Sequence, residues 1–221
     1  KDSKWNDGVL DTVLAIVREA KQRAAPASLR AGRASAQVGF NRRLVDDETG
    51  HVYMGVNRED AVVPWVNVLV ADSKKTGRPI AVLFEHAAHP VIVPHTSNLI
   101  SADFPGAAAK RIVEVLGKDV VALFGQGCAG NINGFPLRST HEKADDAGRK
   151  LGDAVLEAMR ESEAIASESF SVTYARTELP SYPLPSEASW REMAAANEND
   201  PDRMEQLDRV RALLDSGAAP P

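Results

Sequence analysis

The sequence predicts an α/β fold, a mixed β-sheet flanked by helices and followed by a C-terminal helical hairpin. Three observations predict it. Two β-rich runs, residues 62–70 and 78–84, flank Asp72-Ser73-Lys74-Lys75-Thr76-Gly77, the pattern of an antiparallel hairpin with a longish turn. A helical stripe then precedes another apolar run at 120–124, and a strand, helix, strand order points to parallel neighbours joined by a right-handed crossover. Beyond Pro180, Pro183 and Pro185, apolar positions recur at the helical period on both sides of Asp200-Pro201, where proline breaks one helix from the next.

The elements follow in chain order. Asn6 or Asp7 can cap a helix whose apolar positions Val9, Leu10, Val13, Ile16, Val17 and Ala20 keep a 3.6-residue period, ending near Ala24 and Pro26. Residues 28–60 are polar and contain glycine, so they read as irregular chain or short strands. The run Ile80-Ala81-Val82-Leu83-Phe84 is nearly all apolar, which suits a central strand covered on both faces. Pro105 stands where a first helical residue belongs, with Asp103 or Phe104 before it. Ile112, Val113 and Leu116 form that helix's buried stripe, and Gly117 stops it. Ser139 with Glu142 makes a capping box for a helix running to about Glu161. Residues 170–179 read as one more strand. Residues 1–179 thus form one α/β domain, and 180–221 a Pro-rich linker and helical extension of it.

Composition narrows the function classes. The 221 residues are 43% hydrophobic and 26% charged, with 15 Gly and 13 Pro, which leaves no room for a collagen-like or wholly disordered chain. Twenty-six basic against 31 acidic residues give a net charge of -5, and no Lys/Arg run breaks that balance, so no nucleic-acid footprint is expected. No apolar run approaches the roughly 20 residues of a membrane span. A single cysteine, Cys128, excludes an internal disulfide and a Cys-rich zinc site. Lys1 at one end and Pro220-Pro221 at the other suggest a segment of something longer.

Three polar clusters lie just after predicted buried strands, at the edge where α/β sheets usually carry their sites. They are Glu85-His86-Ala87-Ala88-His89-Pro90 with His95, then Ser101-Ala102-Asp103, then the loop from Gly125 to Asn133. Neutral imidazole is a common zinc ligand, and a strand end holds it rigidly. Yet His86 and His89, three apart on extended chain, point to opposite faces, and a strand-end histidine is more often a hydrogen-bonded structural residue. Asp103, taken alone, is most simply a helix cap. The glycine loop lacks the Lys-Ser/Thr of a Walker A loop and the spacing of a dinucleotide fingerprint. Cys128 reads better as a small buried thiol than as a nucleophile.

The ordered set says more than its pieces. The apolar run 80–84, His89-Pro90, Asn98-Leu99-Ile100-Ser101-Ala102-Asp103-Phe104-Pro105-Gly106, and Leu123-Phe124-Gly125-Gln126-Gly127-Cys128-Ala129-Gly130-Asn131-Ile132-Asn133 together resemble the neutral/alkaline non-lysosomal ceramidase family, its ceramidase-like bacterial members above all. Asn41-Arg42-Arg43 and the strand around Val66 fit the same pattern. The resemblance runs from about Val9 to Glu161, making residues 1–179 a partial ceramidase-like catalytic domain.

That resemblance implies a zinc-dependent hydrolase cleaving an amide (N-acyl) bond of a small-molecule or lipid substrate, and a secreted or periplasmic location. It carries His89 onto one metal-ligand position and places the other zinc ligands outside this segment, so the segment alone is expected to be inactive. Where ceramidases have Gly-Asp-x-Ser-Pro, this chain has Gly130, Asn131, Ile132, Asn133 and Gly134. Asn133 replaces the catalytic serine and Asn131 the acid. An amide can donate a hydrogen bond to an oxyanion but cannot attack, so metal-activated water becomes the attacking group. Asp103 is expected to orient a ligand or water. Gly127 to Asn133, with Gly130 and Asn131 among them, would position the carbonyl. Arg42, Arg43, Gln126 and Gly127 are the candidates for binding substrate. Two alternatives stand beside this reading: a catalytically inactive ceramidase-like binding module, and a hydrolase of the same scaffold acting on a non-ceramide ester or an N-acyl sugar.

Overall fold

The structure is a computed structural model and describes residues 3–48, 50, 52–166, 169–178 and 183–217. It is an α/β fold with a mixed sheet and a C-terminal helical pair. The chain divides into two compact units, Lys1–Glu168 and Ser169–Pro221.

In the first unit, helix α1 (Ser3–Gln22) leads into strands β1 (Ala27–Ser35), β2 (Gly39–Val45) and β3 (Val52–Asn57). Strands β4 (Trp65–Ser73) and β5 (Pro79–His86) are the expected hairpin, paired antiparallel. Helix α2 (Asp103–Leu116) follows, and then β6 (Val121–Gln126), which lies parallel to β5. The three-residue strand β7 (Ile132–Gly134), helix α3 (His141–Arg160) and the two-residue β8 (Glu163–Ala164) complete the unit. The large sheet has the order β6-β5-β4-β1-β8, and a separate small sheet the order β3-β2-β7.

Helices α2 and α3 pack on each other, with α3 against β1 and β4 and α2 against β6. Two glycines let them meet closely. A Cβ at Gly148 would strike Ala107 and the backbone of Phe104, and one at Gly152 would come within 2.7 Å of the Arg111 side chain. Beneath them Val66, Val70, Val82 and Phe84 are fully buried, together with Phe104, Ile112, Leu151 and Val155. At roughly 25 cal/mol per Å² of apolar area removed from water, this layer is the main stabilising term of the unit.

The other face of the large sheet differs from expectation. Ladder partners share a face, and Leu83, Val121 and Leu123 stand on the face away from the helices, 41%, 54% and 51% exposed. Strand β5 is therefore covered on one face only among the described residues. Its apolar run does not by itself specify two-sided burial.

Other boundaries shift for local reasons. Residues 28–60 form three strands whose alternation is masked by polar and small side chains. Helix α3 is capped by Thr140, whose hydroxyl accepts the Lys143 N–H at 3.2 Å, rather than by Ser139, whose own N–H goes to the Ile92 carbonyl. Helix α2 begins two residues before Pro105. Cys128 is exposed, not buried, because it lies in the loop between β6 and β7.

In the second unit the strand expected at 170–179 does not form over residues 170–178; residue 179 lies outside the described residues. Phe170, Val172 and Tyr174 are 91%, 78% and 84% exposed. Without a ladder partner, an alternating apolar pattern has nothing to pair with. The two expected helices are present: α4 (Glu187–Ala196), capped by Ser186, and α5 (Pro201–Ser216), capped by Asp200 with proline at its start. The Trp190 indole donates to the Leu207 carbonyl at 2.9 Å, and Arg211 lies over its ring. Among the described residues no helix is long and apolar enough to cross a membrane.

Candidate functional site

The small sheet carries Asn41 and Asn133, two buried polar residues. His89 lies just past the end of β5, where the chain bridges in parallel to Asn133 of β7. Its N–H donates to the Ile132 carbonyl at 3.0 Å, and its own carbonyl accepts the Gly134 N–H at 3.0 Å. On its other side Asn133 pairs with Phe40 of β2. Residues opposed across a ladder present their side chains to one face, so His89, Asn133 and Phe40 form a row across the seam.

The His89 ring is oriented from behind. Its Nδ1 stands 3.1 Å from the Ile132 carbonyl, and a carbonyl only accepts, so the proton sits on Nδ1 and Nε2 carries the lone pair. That is the arrangement commonly found in metal-binding imidazoles. His89 therefore fits as one metal ligand. Among the described residues no group of three His, Cys, Asp or Glu side chains clusters to hold an ion.

Arg42 fastens the loop that ends in Asn133. Its Nε donates to the Gly130 carbonyl at 3.1 Å and its Nη1 to Asn133 Oδ1 at 3.4 Å, while its backbone N–H donates to the Asn131 carbonyl at 2.8 Å. Arginine has only donors, so the Asn133 oxygen must face it and the amide nitrogen must face away. That nitrogen has the Met54 sulfur at 3.6 Å, and a thioether is a weak acceptor. Asn133 is 7% exposed. The result is a nearly buried N–H donor with a weak partner.

The other residues singled out from sequence are placed as follows. Asp103 is buried; its two carboxylate oxygens accept the N–H groups of Val93 and Phe104, both at 2.7 Å, and its φ is 51°. It ties the loop after His89 to the start of α2. Gln126 donates to the carbonyls of Ala88 and Gly127, at 3.2 and 3.1 Å. The Gly127 N–H reaches the His86 carbonyl at 3.1 Å, and a Cβ there would strike the Glu85 carboxylate. Gly130 and Asn131 contribute the carbonyls that Arg42 holds. Arg43, next to Arg42 on β2, is exposed and pairs across the ladder with Met54. The N–H groups of Gly127, Ile132 and Gly134 are engaged within the fold, and the Asn133 side-chain amide, with only the Met54 sulfur beside it, is a donor with capacity to spare.

The companion imidazole, His86, is only 2% exposed and donates from Nδ1 to the Trp65 carbonyl at 2.8 Å. Burial pushes its pKa below the ordinary histidine value, against smaller upward pulls from that hydrogen bond and from Glu85. His95 is exposed. Sequence reasoning missed Phe40 and Met54; the one available signal was Phe40 standing two residues before Arg42, on the same strand face.

The fold is ceramidase-like. The crystal structure of neutral ceramidase from Pseudomonas aeruginosa is similar, with a TM-score of 0.57 and 20% identity over 70% of this chain and 26% of that one. A second structure, described as ceramidase complexed with C2, gives a TM-score of 0.53 and 21% identity over 65% of this chain and 24% of that one. The chain thus spans about a quarter of the length of these neighbours. No protein-family model and no curated protein sequence matches it.

Proposed function

We propose that this chain is part of a ceramidase-like, zinc-dependent hydrolase that cleaves an amide (N-acyl) bond in a small-molecule or lipid substrate. The observation that carries the reading is the row at the sheet seam. An imidazole with its Nε2 lone pair free stands in register with an amide whose N–H is turned away from Arg42. The likeness of fold to two ceramidases supports it.

In this reading His89 Nε2 is one ligand of the ion, and the remaining ligands come from polypeptide outside these residues. Zinc, when bound, supplies Lewis-acid activation of water near neutral pH. The chain's own contribution is positioning. Asn133 Nδ2 donates to the substrate carbonyl oxygen, and the bond strengthens as negative charge develops there. Arg42 keeps that amide in the donating orientation. Asp103 holds the backbone of the loop following His89. Neither Asn131 nor Asn133 has a hydroxyl, so water attacks the carbonyl and the amine leaves.

The test uses the natural polypeptide that contains these residues. It is expected to hold one zinc per chain and to hydrolyse N-acyl substrates. His89→Ala is expected to lose both metal and turnover while keeping its circular dichroism. Absence of zinc, or unchanged turnover in His89→Ala, overturns the reading. Saturable binding of an N-acyl lipid without hydrolysis would support the inactive binding module instead, and faster cleavage of esters or N-acyl sugars would reassign the substrate.

A further inference from the structure

The same face of the small sheet leads into a cavity of about 460 Å³, within the size range of small-molecule sites. Phe40, the register partner of Asn133, meets Phe135 edge to face at 5.2 Å between ring centroids. The Arg58 guanidinium lies 4.4 Å from the centre of the first ring and 5.0 Å from that of the second. Facing them is a helical stripe of α3, Lys143, Asp146 and Lys150. Val38 and Pro136 extend the apolar wall.

The charge here is unbalanced. Asp146 engages Lys143 at 3.4 Å, whereas no described carboxylate lies within ion-pair distance of Arg58 or Lys150. Two cations, Arg58 just after β3 and Lys150 on α3, therefore border one largely apolar cavity with no carboxylate paired to either among the described residues. Stacking on aromatic rings orients a guanidinium while leaving its N–H edge free, and that fork matches a carboxylate or phosphate.

We propose that this cavity binds a small amphiphilic anion, its carboxylate or phosphate head held by Arg58 and Lys150 and its apolar body against Phe40 and Phe135. The binding is separate from hydrolysis and is measured at equilibrium, so it stands or falls independently of His89 and of any metal.

Calorimetric titrations of the intact chain with hexanoate, hexyl phosphate and hexanol test it. At least one anion is expected to bind saturably and to weaken as salt screens the head group over about a Debye length. Hexanol is expected to bind at least about tenfold more weakly than that anion, the loss of one good charged contact. Lys150→Gln and Arg58→Gln should each weaken the anion by a few-fold or more, and Arg58→Lys should recover part of the loss. The two anions distinguish a carboxylate site from a phosphate site. Because Arg58→Gln also removes the ring contacts, Lys150→Gln together with the salt series decides the outcome if that variant melts early. No saturable binding of either anion, equal binding of hexanol, or unchanged affinity in Lys150→Gln overturns the proposal.

Discussion

The two sheets solve different problems. The large one buries Val66, Val70, Val82 and Phe84 completely beneath two helices, and its β1–β4 ladder runs in unbroken register. The small one is short; its β2–β3 ladder has a register shift, as the β4–β5 ladder of the large sheet does, and among the described residues it holds Asn41 and Asn133, two of four buried polar side chains, against His86 alone on the large sheet. The long, apolar strands make the core, and the short sheet carries the candidate site. The difference places the robust scaffold and the candidate chemistry on adjoining but separately built layers.

The largest expected effect lies in the scaffold. Phe84→Ala should lower unfolding free energy by about 3–5 kcal/mol, the usual range for deleting a buried phenyl ring. Leu83→Ala, one residue earlier on the open face, should cost less, on the order of 1 kcal/mol, since the side chain is already partly in water. Denaturant titration of both variants checks the contrast, and equal losses would show that the open face is covered in solution.

A smaller effect is expected from the other sheet, and in activity rather than stability. Asn133→Ala in the natural polypeptide should reduce amide turnover about 10²–10³-fold, as the loss of an oxyanion donor does. Its midpoint of unfolding should move far less than that of Phe84→Ala. A large loss of stability with unchanged turnover would assign Asn133 to the scaffold.

The smallest effect is a pH dependence carried by His86. His86 has its pKa lowered, mainly by burial, so below the unfolded value of about 6.5 the unfolded chain binds more protons than the folded one. Its contribution is complete above that value and is lost as pH falls through the window towards the lowered folded pKa. Stability measured on either side of it should show this decline, and His86→Gln should flatten it. A decline that persists in His86→Gln belongs to another group.

Legibility in the sequence follows the same division. Strands β4, β5 and β6 and helices α2 and α3 were readable because their apolar periodicity is strong and their partners are near in sequence. Strand β7 was not, since three residues carry no period and their pairing with β2 arises from chain some ninety residues away. The pattern at 170–178 had the alternation of a strand but lacked a partner. Within the candidate site, His89 and Asn133 were named through family resemblance. Their register, the Arg42 contacts and the aromatic pair beside them arise only when distant segments meet. Asp103 was readable as a group near a helix start, but its bond to Val93 was not.

One consequence follows from Arg42. By gripping the carbonyl at 130 and the amide at 133 from a neighbouring strand, it sets the shape of that short arc when the chain folds. In the proposed reading, a substrate arriving there would meet a recognition element already in place. Little of its binding free energy would then be diverted into freezing a loop, and more would remain to discriminate one ligand geometry from another.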